Sequence, residues 1–490
     1  MKKLLGVFLC VCLILSFTVS AFALPAEQGQ TPFVLVSGMG YKPLVYNLGQ
    51  EGEKNVFPPD IEAKQIILPL FFGIFSAVSG QGLHGFTKHV TKAADNILRL
   101  AACDENGNSK YNVSPITYPK SLDNYPEFSQ ANQSEGGLLR SACDKIGAEN
   151  VYYFNYDWRL SPIDNAALLH DFIEGVKLEK SCDKVDLAAL SMGGIVTLTY
   201  FRIYGSDSVK SCLMLGSTYA GSDLAGGALM GRLGINKASL LNYLPQNFGG
   251  EDLKLFLRSF FFVLDFLGIA DPVVKGLNTL IDALIFDLEE SGFLRDNFFT
   301  MPGLWATVRQ EDYEDAKALH LDKDNHAKLI EKIDFVQYEV HQKRKALIES
   351  AKANGVKVYF VANYNLAPPP ISPEAAVHSD ATIETVYAGG GATLAPLGQV
   401  LPADYKQKNV CQGHNHLSSD RIIDASTADF PDLVWFVKNV WHVRCFYGSE
   451  YNEFLLWLIH SPEQVTVFDS DDYPQFLVSF DDGMTIAPLI

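Results

Sequence analysis

The sequence predicts an α/β fold with a mostly parallel, doubly wound sheet, and three observations predict it. Several short runs are apolar at every position, which suits strands buried on both faces. Glycine or polar residues close each run. Between the runs, apolar residues recur at helical spacing, and strand–helix alternation of this kind places helices on both faces of a parallel sheet.

The first run is Phe33-Val34-Leu35-Val36, stopped by Ser37-Gly38-Met39-Gly40. Residues 151–156 are the second, closed by Asp157-Trp158-Arg159. Residues 164–180 follow as a helix, with Leu168, Leu169, Phe172 and Val176 placed on one face. Residues 185–190 form the third strand, and Ile195, Leu198 and Phe201 behind it mark another helix. Residues 208–215 supply the fourth strand and 356–361 the fifth.

The stretch between the fourth and fifth strands is far longer than a usual connection. It is read as a helical insertion, 223–355, dividing the sheet domain into 24–222 and 356–490. Its most apolar part is residues 253–267, interrupted by Lys254, Arg258 and Asp265 and so not a clean membrane-spanning helix. Two readings stand: a buried cap helix, or a mobile lid whose apolar face meets lipid. Phe260, Phe261 and Phe262 are consecutive, so no single helical face hides all three.

Composition narrows the function. The 490 residues carry 39 Lys+Arg against 57 Asp+Glu, a formal charge of −18. That balance argues against nucleic acid, which needs basic surface, and against electrostatic docking on anionic lipid. With 48% hydrophobic and 12% aromatic residues, the chain is too apolar for a disordered one. Lys2 and Lys3, an apolar run over 4–19 and Ala21-Phe22-Ala23 have the form of a secretory signal peptide spanning 1–23. The protein is therefore expected to be secreted or extracytoplasmic. Cys10 and Cys12 leave with that peptide; Cys103, Cys143, Cys182, Cys212, Cys411 and Cys445 remain, permitting up to three disulfides. None stands in a C-x-x-C pair, so zinc–thiolate and thioredoxin chemistry are unsupported.

Ala189-Leu190-Ser191-Met192-Gly193-Gly194 lies between a predicted strand and a predicted helix. A sharp turn there projects a serine hydroxyl, small neighbours avoid clashes, and the following helix N-terminus favours developing negative charge. The plain alternative is an ordinary helix N-cap serine. Ser191 is read as a nucleophile in an α/β-hydrolase elbow.

Three segments now carry a resemblance. Phe154-Asn155-Tyr156-Asp157-Trp158-Arg159, Leu187-Ala188-Ala189-Leu190-Ser191-Met192-Gly193-Gly194 and Ser217-Thr218-Tyr219-Ala220-Gly221-Ser222 resemble the lecithin:cholesterol acyltransferase family of α/β-hydrolases, which includes acyltransferases, phospholipases and lipases. Val36-Ser37-Gly38-Met39-Gly40 looks like its V-P-G-x-x-G loop, with serine for proline and a glycine one position early. The resemblance implies an oxyanion hole made by the backbone amides of Met192 and Met39, with Gly40 the alternative to Met39. Ser418 to Thr427 resembles the family's acidic D-x-x-V loop, with Ile423 in the valine place.

The base must be a histidine that follows the acid in the order Ser, Asp, His. Beyond the fifth strand the histidines are His378, His414, His416, His442 and His460. The acid is placed at Asp420 and the base at His442, with Asp424 and Asp380 as rival acids. His414 and His416 precede Asp420 and are read as loop histidines, since a metal site there lacks a partner carboxylate pattern. Asp157 and Arg159 are read as a charge-assisted pair beside the pocket, and Trp158 as either pocket wall or core. The expected activity is hydrolysis of lipid esters through an acyl-enzyme on Ser191, needing no metal or organic cofactor. Acyl transfer to a sterol or other alcohol, and an inactive lipid-binding surface protein, are the alternatives.

Overall fold

The computed structural model describes residues 30–490 apart from 60–86, 88–90, 93–94, 96–97, 129–136, 236, 238–258, 260–261, 264, 269, 370, 372–375, 410–412 and 448. The expected signal peptide, Cys411, and residues 253–258, 260–261 and 264 of the apolar stretch 253–267, with Phe260 and Phe261 among them, lie outside the described residues. Pro32–Ile490 is one compact unit.

Eight strands form its main sheet: β1 (Phe33–Val36), β2 (Val151–Phe154), β3 (Val185–Leu190), β4 (Val209–Leu215), β5 (Lys357–Tyr364), β6 (Val434–Lys438), β7 (Phe476–Val478) and β8 (Ala487–Pro488). Their spatial order is β8-β7-β6-β5-β4-β3-β1-β2. Every neighbouring pair is parallel except β7 with β8 at the edge. This is an α/β fold on a mostly parallel sheet, as the apolar runs predict. β1, β2, β3 and β5 are buried at every position, the physical reason their sequences lack alternation. β5 runs past Val361 to Tyr364 because Ala362, Asn363 and Tyr364 pair with Phe436, Val437 and Lys438 of β6.

Side chains alternate between the two faces. One face presents Val34, Val36, Leu187, Ala189 and Phe360 to α1 (Pro162–Lys180) and α2 (Gly193–Tyr204). The other presents Phe33, Leu35, Ala188, Leu190 and Tyr359 to α3 (Glu450–His460) through Phe454, Leu455 and Leu458. The helix expected at 164–180 begins two residues earlier: Ser161 caps it by accepting from the Ile163 N–H, and Pro162 starts it. Its buried stripe runs through Ala166, Leu169, Ile173 and Val176, a 3–4 spacing that leaves Leu168 55% exposed, contrary to the expected face.

Between β4 and β5 the described residues include helices Asp223–Leu229, Ala270–Glu290, Gln310–His320 and Ala327–Phe335. The first, third and fourth of these meet in a cluster of their own, through Leu229, Tyr313 and Ile333 packed with Phe299 and Trp305. In Ala270–Glu290 only Ala270 and Asp287 are fully buried, and Phe286 is exposed. No helix among the described residues is long and apolar enough to cross a membrane.

Cys103, Cys143, Cys182, Cys212 and Cys445 are all free thiols, so the permitted disulfides do not form among the described residues. Burial pushes the Cys103 and Cys212 thiols up to about 12, leaving them neutral space-fillers.

The expected Asp157–Arg159 pair forms. Arg159, with no exposed surface, bonds Asp157 through Nη2–Oδ2 at 2.6 Å and Nε–Oδ1 at 3.0 Å, and donates to the Ala101 carbonyl and the Ser109 hydroxyl. The pair thus ties the turn after β2 to the segment around residue 101. Trp158 between them packs edge-on to Phe57 in the core. Arg159→Met strands a buried carboxylate and should cost about 3–5 kcal/mol, read as a lower urea midpoint. The double variant Asp157→Leu/Arg159→Met should recover part of that loss.

Candidate active site

Ser191 occupies the turn from β3 into α2 with φ of 53°. A left-handed conformation at a non-glycine residue costs about 1–3 kcal/mol and persists only when its surroundings enforce it. Here they do. The Ser191 N–H donates to the Leu215 carbonyl at 3.0 Å, and its own carbonyl accepts from Thr218 at 3.1 Å and Gly194 at 3.1 Å. Both following glycines are needed for close approach. A Cβ on Gly193 would lie 2.7 Å from the Val36 and Ser37 carbonyl oxygens, and one on Gly194 would overlap the Ser217 hydroxyl.

Strand order explains why this turn faces open space. The chain leaves β1 toward β2 on one side and leaves β3 toward β4 on the other. Connections that diverge from adjacent parallel strands leave a crevice at their carboxyl ends. Ser191 ends β3 and Met39 follows β1, so both border that crevice, and both line a cavity of about 700 Å³. Neither the Met39 nor the Met192 N–H has an acceptor among the described residues. Two free amides therefore stand beside the serine, one at the amino end of a helix. Gly40, the alternative to Met39, does not line the cavity.

His442 lines the same cavity. Its carboxylate partner is Asp380 and not Asp420. His442 Nδ1 lies 2.6 Å from Asp380 Oδ2, and its backbone N–H donates to the Asp380 carbonyl at 2.8 Å. Asp380 is buried, and its other oxygen accepts the Thr382 and Ile383 N–H groups at 3.0 and 2.7 Å. Both carboxylate oxygens are thus committed, which fixes the imidazole ring and places the proton on Nδ1. Gly216 (φ 48°) seats this pair: a Cβ there would lie 3.0 Å from Asp380 Oδ2 and 3.2 Å from His442 Nδ1.

The expected acid, Asp420, serves the ends of β5 and β6 instead. It accepts from Lys438 Nζ at 2.8 Å, Ser418 at 2.7 Å and Tyr364 at 2.9 Å. Burial alone would raise its carboxyl, but these three donors hold it below the usual carboxylate range. Asp424 caps a turn through Ser426 and accepts from Tyr405, also away from His442. The sequence signal that favours Asp380 is position: it lies on the loop that leaves β5 directly, at the crevice edge, whereas Asp420 follows a much longer excursion.

The other histidines are elsewhere. His460 faces Asp186 near the start of β3, at the opposite edge of the sheet. His378 is buried, and burial lowers it to about 4. The cavity wall is almost wholly apolar, including Leu224, Leu229, Leu233, Ile285, Leu288 and Phe298. One buried carboxylate sits behind it. Glu384 accepts from Ser222 at 3.2 Å and from the Asp223 N–H at 3.3 Å, and burial pushes it up to about 7. Trp158 is not part of the wall.

No protein-family pattern and no curated protein matches the chain. Seven solved chains are similar in structure. One, from a crystal structure of the Tle4-Tli4 complex, is 14% identical, covering 69% of this chain and 75% of its own length at a TM-score of 0.23. A likeness at that level leaves the chemistry to be argued from these residues.

Asp380→Asn should remove a downfield His442 Nδ1–H resonance from the proton spectrum, and Asp420→Asn should leave it. The reverse pattern would return the pairing to Asp420.

Proposed function

We propose that the chain is an exported serine ester hydrolase of the α/β-hydrolase kind, acting on lipid esters. The observation that carries this reading is the serine on a strained turn sharing one apolar cavity with a histidine bonded to a buried aspartate. Serine, aspartate and histidine follow in that chain order, as the resemblance to the lecithin:cholesterol acyltransferase family implies.

In this reading Ser191 Oγ attacks the ester carbonyl while His442 Nε2 takes its proton. Asp380 holds the Nδ1–H and stabilises the imidazolium. The Met39 and Met192 N–H groups receive the carbonyl oxygen as it becomes anionic, a role suited to amides that have no other partner. His442 then gives the proton to the leaving alkoxide, and the acyl-enzyme remains. Water, activated by the same histidine, completes hydrolysis and restores Ser191. The apolar wall suits an acyl chain. By slowing the entry of water, that wall also supports a second reading, transfer of the acyl group to a lipid alcohol.

Phe262 and Phe266 are 70% and 80% exposed, stacked on one another at 6.4 Å. With exposed Val263, Leu267 and Phe286 they belong to the helical insertion whose Ile285 and Leu288 line the cavity. We read this surface as the part that meets lipid.

Ser191→Ala should remove turnover of a soluble p-nitrophenyl ester and labelling by a serine-directed phosphonate, leaving the circular dichroism spectrum unchanged. Asp380→Asn should cost about 10⁴-fold in kcat through loss of the correct tautomer, and Asp420→Asn less than about tenfold. Ester turnover that survives in Ser191→Ala sinks the proposal. Products analysed with a lipid alcohol present separate the two readings: free acid marks hydrolysis, new ester marks transfer.

Phe262→Ser/Phe266→Ser should weaken binding to neutral lipid droplets while leaving short-chain ester turnover nearly unchanged. Binding of the parent chain should be insensitive to salt, because apolar burial drives it. If droplet binding is unaffected by the double substitution, the surface has another role.

A further inference from the structure

We propose that His414, His416 and Asp432 form a zinc site at the end of the sheet opposite Ser191. Their ligand atoms lie within 4.8 Å of one another. The sequence hides this cluster, because the two histidines stand midway along the excursion between β5 and β6 while Asp432 stands at its end, just before β6 begins.

The groups around His416 fix its tautomer. Gln475 donates its side-chain NH₂ to the Pro431 carbonyl at 2.7 Å and the Val434 carbonyl at 3.1 Å. Its amide orientation is thereby set, and its Oε1 faces His416 Nδ1 at 2.7 Å. An amide oxygen only accepts, so Nδ1 carries the hydrogen and a neutral His416 offers a lone pair at Nε2. That lone pair faces another acceptor. Nε2 lies 3.2 Å from Asp432 Oδ1, and neither atom has a hydrogen-bond partner. His416 has no exposed surface, so water does not resolve the conflict from its side. Two acceptors facing each other need a positive centre between them. Gln475 also plays the part that an outer hydrogen bond plays at zinc histidines, fixing ring and tautomer.

The donor set selects the ion. Two imidazoles and one carboxylate suit zinc, which takes nitrogen and oxygen at tetrahedral spacing with water in the fourth place. Calcium and magnesium prefer all-oxygen sites. Phe468 packs on both rings, at 4.0 Å from His414 and 5.2 Å from His416, walling one side. Asp432 is anchored too, its carbonyl accepting the Val467 N–H at 3.0 Å. A bound ion would fasten the excursion between β5 and β6 to the start of β6. It plays no part in ester chemistry.

The test uses the full chain, stripped with a chelator and titrated with zinc chloride by calorimetry. One ion per chain should bind, and zinc should raise the melting temperature while calcium chloride does not. His414→Ala removes an exposed side chain and should not disturb folding. It should weaken zinc binding at least about tenfold, as should Asp432→Asn, and abolish the thermal shift. Short-chain ester turnover should be unchanged in both. Absence of stoichiometric zinc binding in the parent chain would overturn the proposal, since a proton on His416 would then bridge to Asp432. Binding that persists unweakened in both variants would overturn it as well, placing zinc elsewhere.

Discussion

One close approach organises the carboxyl end of the sheet. The first turn of α2 crosses β1 so tightly that a methyl group on Gly193 would strike two carbonyl oxygens, and one on Gly194 would strike Ser217. With that space denied, the chain can leave β3 only through a left-handed residue, and Ser191 is held there by Leu215 and Thr218. The strain is sustained by the packed strands around it. The same crossing leaves the Met192 amide without a helical partner and brings it near Met39 at the end of β1. Serine position and the free Met192 amide follow from this one packing constraint, while the diverging strand connections supply the crevice.

The rest of the site is hung on loops that the sheet anchors. His442 follows β6 and Asp380 follows β5, neighbouring parallel strands whose carboxyl ends lie side by side. Gly216 at the end of β4 leaves room for the pair. Asp380 is buried yet satisfied by two backbone amides and one imidazole, so a charge that would be costly alone is supported. Arg159 and Asp157 do the same beside β2, and Lys438 and Asp420 below the β5–β6 junction. Three carboxylates near the carboxyl ends of the strands thus have three separate partners, and of those partners only His442 lines the cavity.

The strands and the serine turn were legible because their determinants are local. A strand buried on both faces must be apolar throughout, and a helix start that admits no side chain must be glycine. Leu168 shows where local patterning stops: Leu168 and Leu169 are adjacent and equally apolar, and only the direction of the sheet beneath α1 decides which is buried.

Sequence alone therefore determined the α/β class with its mostly parallel sheet and the strands at 33–36 and 185–190, and it pointed to Ser191 and His442 as candidates. Tertiary structure alone decided which aspartate meets that histidine. Asp380, Asp420 and Asp424 share similar surroundings in sequence, and a pairing over 62 positions is set by how long loops return to the sheet. It also brought Asp432 to His414 and His416, and left the five described cysteines unpaired. Contacts between distant segments depend on the path of the chain in space, which side-chain pattern constrains only within an element.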